Sequence, residues 1–338
     1  MKTWIYALIL IFGMVQAGCI GRHPKIGFLL HGYDSPRWTK DQQFFVEAVK
    51  RQKGTAIVRD AGNSQETQIK QASELIDQGV SVLVVVPVDL YVAGKIVELA
   101  HENQIKVIAY DRMINNCPLD YYVSTDNFKI GELQAKSITK IKPHGNYALI
   151  GGAPFDNNSR MIYVGQVNIL QPLVDKGDIK IVYMEFGAKW STDEGYRLAT
   201  NALNATANNI DAMLCGNDAM ALGAIRALKE RGLAGEVAVA GQDADLPNIQ
   251  EIIARNQTMT VFKKIRTMAQ TAAELAIHLY KKEQVEQPYT LVDNGYRLVP
   301  SYLVDAVPVD INNIKLTVVA EGFQQENEVF KKKQSNRK

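Results

Sequence analysis

Cysteine is scarce in this chain: there are three in 338 residues, with no Cys-x-x-Cys pair. That excludes a disulfide scaffold and a zinc ribbon. Neither sign of charge dominates, since 38 Lys and Arg face 36 Asp and Glu. The basic residues are scattered except for Lys331-Lys332-Lys333, so a nucleic-acid partner has no electrostatic support. The five histidines (His23, His31, His101, His144, His278) lie far apart and lack metal-ligand spacing. There is no G-x-S-x-G elbow and no H-E-x-x-H helix. Gly151-Gly152-Ala153-Pro154 does not supply the G-x-G-x-x-G of a dinucleotide site. The carboxylates Asp243 and Asp245 are close enough in sequence to raise a glycosidase, but one ligand and one turn residue is the better reading. These absences predict a protein that is not an enzyme and that needs no metal and no cofactor.

What is present begins with a processing signal. Lys2 is followed by an apolar stretch from Trp4 to Val15, too short to span a bilayer comfortably, and then by Ala17, Gly18 and Cys19. Small residues beside a cysteine suggest cleavage after 18 and acylation of the Cys19 thiol, which would tether the protein to a membrane. Gln16 stands where the usual lipobox has Leu, and Val15-Gln16-Ala17 also suits ordinary signal cleavage. An uncleaved anchor is the third reading. All three export the chain to the periplasm or cell envelope.

At roughly 150 residues per domain the length suggests two domains. Short apolar runs alternate with amphipathic stretches. One series of strands starts at Lys25, Thr55, Val82, Lys106 and Tyr121, and a second at Asn146, Ile179, Ala212, Val237 and Thr258. Uninterrupted runs such as Val82 to Val86 suit strands buried on both faces of a parallel sheet. Helical spacing marks 65–78, 90–102, 127–140, 192–207, 218–231 and 264–282, with Ser64 placed to cap the first and Gly79 to stop it. Two such series predict two doubly wound α/β lobes. The polar stretch 324–338 reads as a frayed tail.

Ligands of open α/β sheets bind beyond the carboxyl ends of the strands. Those positions hold Arg37, Trp38 and Lys40; Asp111 and Arg112; Asp156, Asn157 and Asn158; Trp190; Asn217 and Asp218; Gln242, Asp243 and Asp245; and Lys263 and Lys264. Sugar hydroxyls need donors and acceptors together, which Asp, Asn, Arg and Lys provide, and the C–H faces of a pyranose stack on indole. Beyond the signal, Trp38 and Trp190 are the only tryptophans, and both fall in this set. Singly, each residue has an ordinary explanation: Asn217 could cap a helix, Asp111-Arg112 could be a surface ion pair, Trp38 could be core. Their recurrence across the strand ends is what points to a sugar.

Tyr110-Asp111-Arg112-Met113-Ile114-Asn115, Gly131-Glu132-Leu133-Gln134-Ala135-Lys136, Asp156-Asn157-Asn158, Gly241-Gln242-Asp243-Ala244-Asp245 and Gln257-Thr258-Met259-Thr260-Val261 resemble the xylose-binding branch of the type I periplasmic sugar-binding proteins over roughly 25–323. The resemblance implies two Rossmann-like lobes joined by three hinge crossovers, with the ligand cleft between them. It places 24–128 plus 264–290 in the N-terminal lobe and 129–263 plus 291–323 in the C-terminal lobe. Trp38 and Trp190 would sandwich the sugar while Arg37 and Lys40 close the first loop over it. Asp111 and Arg112 would bond it from one lobe; Asp156, Asn158, Asn217 and Asp243 from the other, with Lys263 near the last crossover. The chain departs from the family pattern at His31-Gly32 and Pro36. The ligand implied is D-xylose or a related pentose. The partner implied for this exported monomer is an ABC importer's permease or, alternatively, a membrane histidine kinase served by a sensor of the same fold.

Overall fold

The computed structural model describes residues 23–33, 35–285 and 290–331. The expected signal peptide and Cys19 lie outside the described residues. The first sheet is built from β1 (Lys25–Leu30), β2 (Thr55–Asp60), β3 (Val82–Val85), β4 (Lys106–Tyr110) and β5 (Tyr121–Thr125), with helices α1 (Arg37–Arg51), α2 (Gln65–Asp77) and α3 (Gly94–Glu102) between the first four. The chain then crosses over. α4 (Asn127–Ile141), β6 (Gly145–Gly151), α5 (Asn157–Asp175), β7 (Ile179–Phe186), α6 (Thr192–Ala205), β8 (Ala212–Cys215), α7 (Asp218–Glu230), β9 (Ala238–Gln242), α8 (Leu246–Ile253) and β10 (Met259–Lys263) form the second unit. α9 (Ile265–Lys281), β11 (Thr290–Asp293) and β12 (Leu298–Val304) return to the first lobe, and β13 (Ala306–Val309) goes back to the second. A π-helical turn at Lys315–Val319 and α10 (Glu326–Val329) complete the described chain.

The sheet orders are β11-β12-β5-β4-β3-β1-β2 and β13-β10-β9-β8-β6-β7. All neighbours run parallel except the two edge pairs, β11 with β12 and β10 with β13. Strand order reverses between β1 and β3 in one sheet and between β6 and β8 in the other. Flanking connections leave in opposite directions there, which opens a crevice at the strands' carboxyl ends. Apolar clusters cover both faces of each sheet, which explains why β3, β8, β9 and β10 are buried throughout.

The strands and helices read from the sequence are present, their ends moved by a few residues. Ser64 Oγ accepts from the Thr67 N–H, and Gly79 follows the helix end with φ +75°. Gly131, in the second resembling motif, is there for packing. A Cβ on it would sit 1.9 Å from the Ile162 carbonyl oxygen, because α4 and α5 touch backbone to backbone. Gln134 in the same motif donates to the carbonyls of Cys215 and Gly241, tying α4 to the ends of two strands.

Two expectations about the chain's end are corrected. The return to the second lobe does not fall at 291: Thr290–Val304 extends the first sheet, since β12 pairs in parallel with β5, and only β13 joins the second. The tail is not frayed from 324: Gln324 and Val329 are buried, and Val329 belongs to the apolar cluster around α1 and α9. Among the described residues no helix is long and apolar enough to cross a membrane.

Candidate ligand-binding site

A cavity of about 90 Å³ lies between the lobes and is walled by residues from both. The first lobe contributes Arg37 and Trp38 from the N-terminus of α1, and Asp111 and Arg112 from the turn after β4. The second contributes Asp156 and Asn158 at the start of α5, Trp190 before α6, Asn217 before α7, Gln242, Asp243 and Asp245 after β9, and Lys263 at the end of β10. Ten of the eleven sugar-binding residues expected from the sequence therefore line one cavity.

Lys40 is the exception. One helical turn beyond Arg37, its ammonium donates to the carbonyl of Phe323 and to Gln324 Oε1 (3.2 Å), and it lies 4.1 Å from the Phe323 ring centre. It points behind the cavity rather than over it, because α1 turns that face toward the C-terminal segment.

The first-lobe wall is a matched set of charges. Arg37 is clamped at Nε and Nη2 by both oxygens of Asp41 (3.1 and 3.3 Å), and its Nη1 donates to Asp111 Oδ1 at 3.2 Å. Asp41, fully buried, also accepts from the Tyr110 hydroxyl at 2.5 Å. Sequence inspection missed it, although its spacing four residues after Arg37 is the signal for a helical ion pair. Burial alone would raise the Asp111 carboxyl, but Arg37, Lys263 and Arg112 outweigh it and hold it well below the ordinary range. Burial likewise pulls the Arg37 guanidinium down, and Asp111, Asp41 and Asp243 more than compensate. Asp111 sits in the left-handed region at φ +63°. Its carbonyl accepts from Tyr122 Oη, Ser124 Oγ and Asn158 Nδ2 (2.8, 2.8 and 3.1 Å), which fixes the turn. Asn158 thus reaches across from the other lobe.

The second-lobe wall is less satisfied. Asp243 Oδ1 is buried and makes no hydrogen bond among the described residues; Arg37 and Lys263 both stand 3.7 Å away. Gln242 Oε1 is a second buried acceptor without a bond. Burial raises the Asp243 carboxyl against the pull of Lys263 and Arg37, and raises Asp156 against Arg112. Asp245 is pushed up to about 7 by burial and by Asp243. Behind them Asp218, raised well above the usual range by burial and by Asp245 and Asp243, accepts from Thr260 Oγ1 (2.9 Å), Gln257 Nε2 (3.1 Å) and the Asp245 N–H (2.9 Å). These bonds brace a turn in which Asp243 (φ +110°) and Ala244 (φ +57°) both leave the usual backbone regions.

Each indole is held by its own lobe. Trp38 meets the His31 ring edge-on at 4.7 Å and has the Arg37 guanidinium 4.4 Å from its ring centre. Trp190 Nε1 donates to Asp156 Oδ2 at 3.2 Å, while Arg112 Nε stands 3.7 Å from that same oxygen. Its ring lies against Gly152, where a Cβ would come within 2.4 Å of it. Gly151 makes the same room for the Phe186 ring, so the glycine pair serves two aromatic rings. Asn217 plays both roles considered for it: Oδ1 caps α7 through the Met220 N–H (2.9 Å), and the residue lines the cavity.

The arrangement offers buried acceptors, fixed cations and two indoles around a small space, a set suited to holding a polyol. A family model described as a periplasmic binding protein domain matches residues 26–284. The chain is 41% identical to the D-xylose-binding periplasmic protein of Haemophilus influenzae over 97% of this chain and 99% of that one. It is 44% identical to the protein of the same name from Escherichia coli, over 90% and 92%. Its fold superposes with a TM-score of 0.81 on an ABC transporter solute-binding protein from Clostridium phytofermentans with bound β-D-glucose, 28% identical, over 90% of this chain and 99% of that one. With two lobes on a three-crossover hinge, a polar cleft at the strand ends and this extent of likeness, the chain belongs to the periplasmic binding protein family.

Proposed function

We propose that this protein captures D-xylose, or a closely related pentose, in the interlobe cleft and presents it to the permease of an ABC importer. The observation that carries this reading is the unbonded Asp243 Oδ1, buried between Arg37 and Lys263 in a cavity that Trp38 and Trp190 also line. An unsatisfied buried acceptor costs about 1–3 kcal/mol, and a sugar hydroxyl recovers it while the indoles take the C–H faces. Arg37, Asp111 and Arg112 act from one lobe. Asp156, Asn158, Asn217, Asp243 and Lys263 act from the other, joined by Gln242 and Asp245, which the sequence reading had not assigned to the sugar. The sugar touches both walls only when the lobes meet, so it selects the closed state, and the permease reads closure.

The xylose-binding names of the two relatives favour pentose over hexose. Solved relatives named as ABC transporter binding proteins favour import over a kinase-docked sensor. The N-terminal signal and Cys19 extend the proposal to an exported, monomeric and lipid-anchored protein. Calorimetric titration of the mature protein with D-xylose, ribose, arabinose and glucose tests the ligand. Tight, saturable binding of D-xylose above the others is expected; no heat with any of them would overturn the reading. Incorporation of labelled fatty acid into the wild type but not Cys19→Ala tests the anchor.

A further inference from the structure

Behind the cavity, one buried amide joins the two lobes. Gln324 Oε1 accepts from Lys40 Nζ on α1 (3.2 Å), and Gln324 Nε2 donates to the Ala244 carbonyl (2.8 Å). Gln324 is 6% exposed. Its neighbour Phe323 receives Lys40 on both its carbonyl and its ring, and stacks on Phe262 of β10 with centroids 5.0 Å apart. The two ends of this connection matter. Lys40 lies one turn from Arg37, and Ala244 follows Asp243, so the chain Lys40–Gln324–Ala244 runs parallel to the ion pair Arg37–Asp243 that faces the cavity. Ala244 occupies a left-handed backbone position that a non-glycine residue rarely adopts, and the Gln324 bond is one of the contacts holding it there. α1 starts at Pro36 with no side-chain cap, so the tether at Lys40 helps fix the helix end that carries Arg37 and Trp38. One apolar cluster, holding Trp38 and Phe44 of the first lobe with Ala244, Phe262, Phe323 and Val329, packs beside the connection.

We infer that Lys40 and Gln324 form an interlobe clasp: positioning residues that never touch the sugar but hold Arg37 opposite Asp243 and so set how long the closed state lasts. This rests on the proposed capture of a sugar by lobe closure. The clasp favours the closed state with or without sugar, and it acts on release more than on encounter, because the sugar enters the open state and leaves only when the closed one opens. It is also indifferent to which sugar is inside.

The test compares wild type with Gln324→Ala, Lys40→Met and Lys40→Arg. Stopped-flow fluorescence with D-xylose gives association and release rates, and small-angle scattering of sugar-free and sugar-saturated protein gives lobe separation. Gln324→Ala and Lys40→Met should each release D-xylose about tenfold faster with association nearly unchanged, which is tenfold in affinity. The preference for D-xylose over ribose should not move. The sugar-free variants should scatter as more open particles, and Lys40→Arg, which keeps a donor and a charge, should recover most of the lost residence time. Lys40→Met decides the matter if Gln324→Ala does not fold. Unchanged release and unchanged scattering would overturn the clasp. So would a changed sugar preference, which would put Lys40 on the sugar. If wild type binds none of the sugars, the ligand reading falls, and scattering of the sugar-free variants still decides the clasp.

Discussion

The two walls of the cleft use the same residue types to opposite effect. On the first-lobe wall the carboxylate is paired: Asp111 has Arg37 at 3.2 Å, Lys263 at 3.6 Å and three donors on its carbonyl. Those cations hold it well below the usual carboxylate range. On the second-lobe wall Asp243 keeps an oxygen with no hydrogen bond, and Asp156, Asp243, Asp245 and Asp218 are all raised by burial. One wall is a finished structure; on the proposed reading the other is completed by the sugar, which would divide the charge cluster's work between stability and binding.

That division is broken most severely at Arg37. Arg37→Met strands Asp41 and Asp111 as buried anions, and breaking such a network costs about 3–5 kcal/mol. The melting temperature should fall sharply, with binding lost as well, as scanning calorimetry with and without D-xylose would record. Asp243→Asn should do the reverse: near-native melting, but D-xylose affinity reduced by about 1.5–3 kcal/mol, the worth of a charge-assisted hydrogen bond, read by isothermal titration. Equal stability losses in the two variants would erase the distinction between the walls.

The contrast also has a pH signature. Asp245 titrates near 7 when folded and near 3.9 when unfolded, so the folded state binds the extra proton between those values. By linkage its contribution to stability is present below the unfolded pKa and is lost as pH rises toward 7. Asp111 behaves oppositely: its depressed folded pKa gives stability that is present above about 3.9 and lost as pH falls below it. Asp245→Asn should therefore gain up to about 4 kcal/mol at pH 7.5 and little at pH 4, as chemical denaturation at the two pH values would measure. A gain that is the same at both would contradict the assignment. The smallest effect is expected at Gly152→Ala. The added methyl displaces Trp190, costing roughly 1 kcal/mol, with a shifted emission maximum and weaker sugar binding but an intact first-lobe wall.

Much of this was legible in the sequence, for local reasons. Val82 to Val86 announces a strand buried on both faces, Ser64 and Gly79 bracket a helix, and the strand ends name the cavity wall because the fold's geometry delivers them there. What escaped depends on distant partners. β11 to β13 are short edge segments whose lobe is decided by pairing with β5 and β10. Asp41 and Asp245 look like ordinary surface or turn residues until the tertiary structure buries them. Lys40 was misplaced because the resemblance put it on a loop closing over the sugar, while it lies within α1 and the packing of the chain's end turns it toward Phe323. Gln324 carried no signal, lying in a polar stretch that composition alone marks as a loose end.

The most direct measurement is tryptophan fluorescence of the mature protein titrated with D-xylose, in wild type and in Asp243→Asn. Trp38 and Trp190, one on each wall, are the only reporters beyond the signal. Capture between the two walls predicts a saturable change in wild type and the same change at more than tenfold higher sugar concentration in the variant. Identical titrations, or no response to D-xylose in wild type, would contradict it.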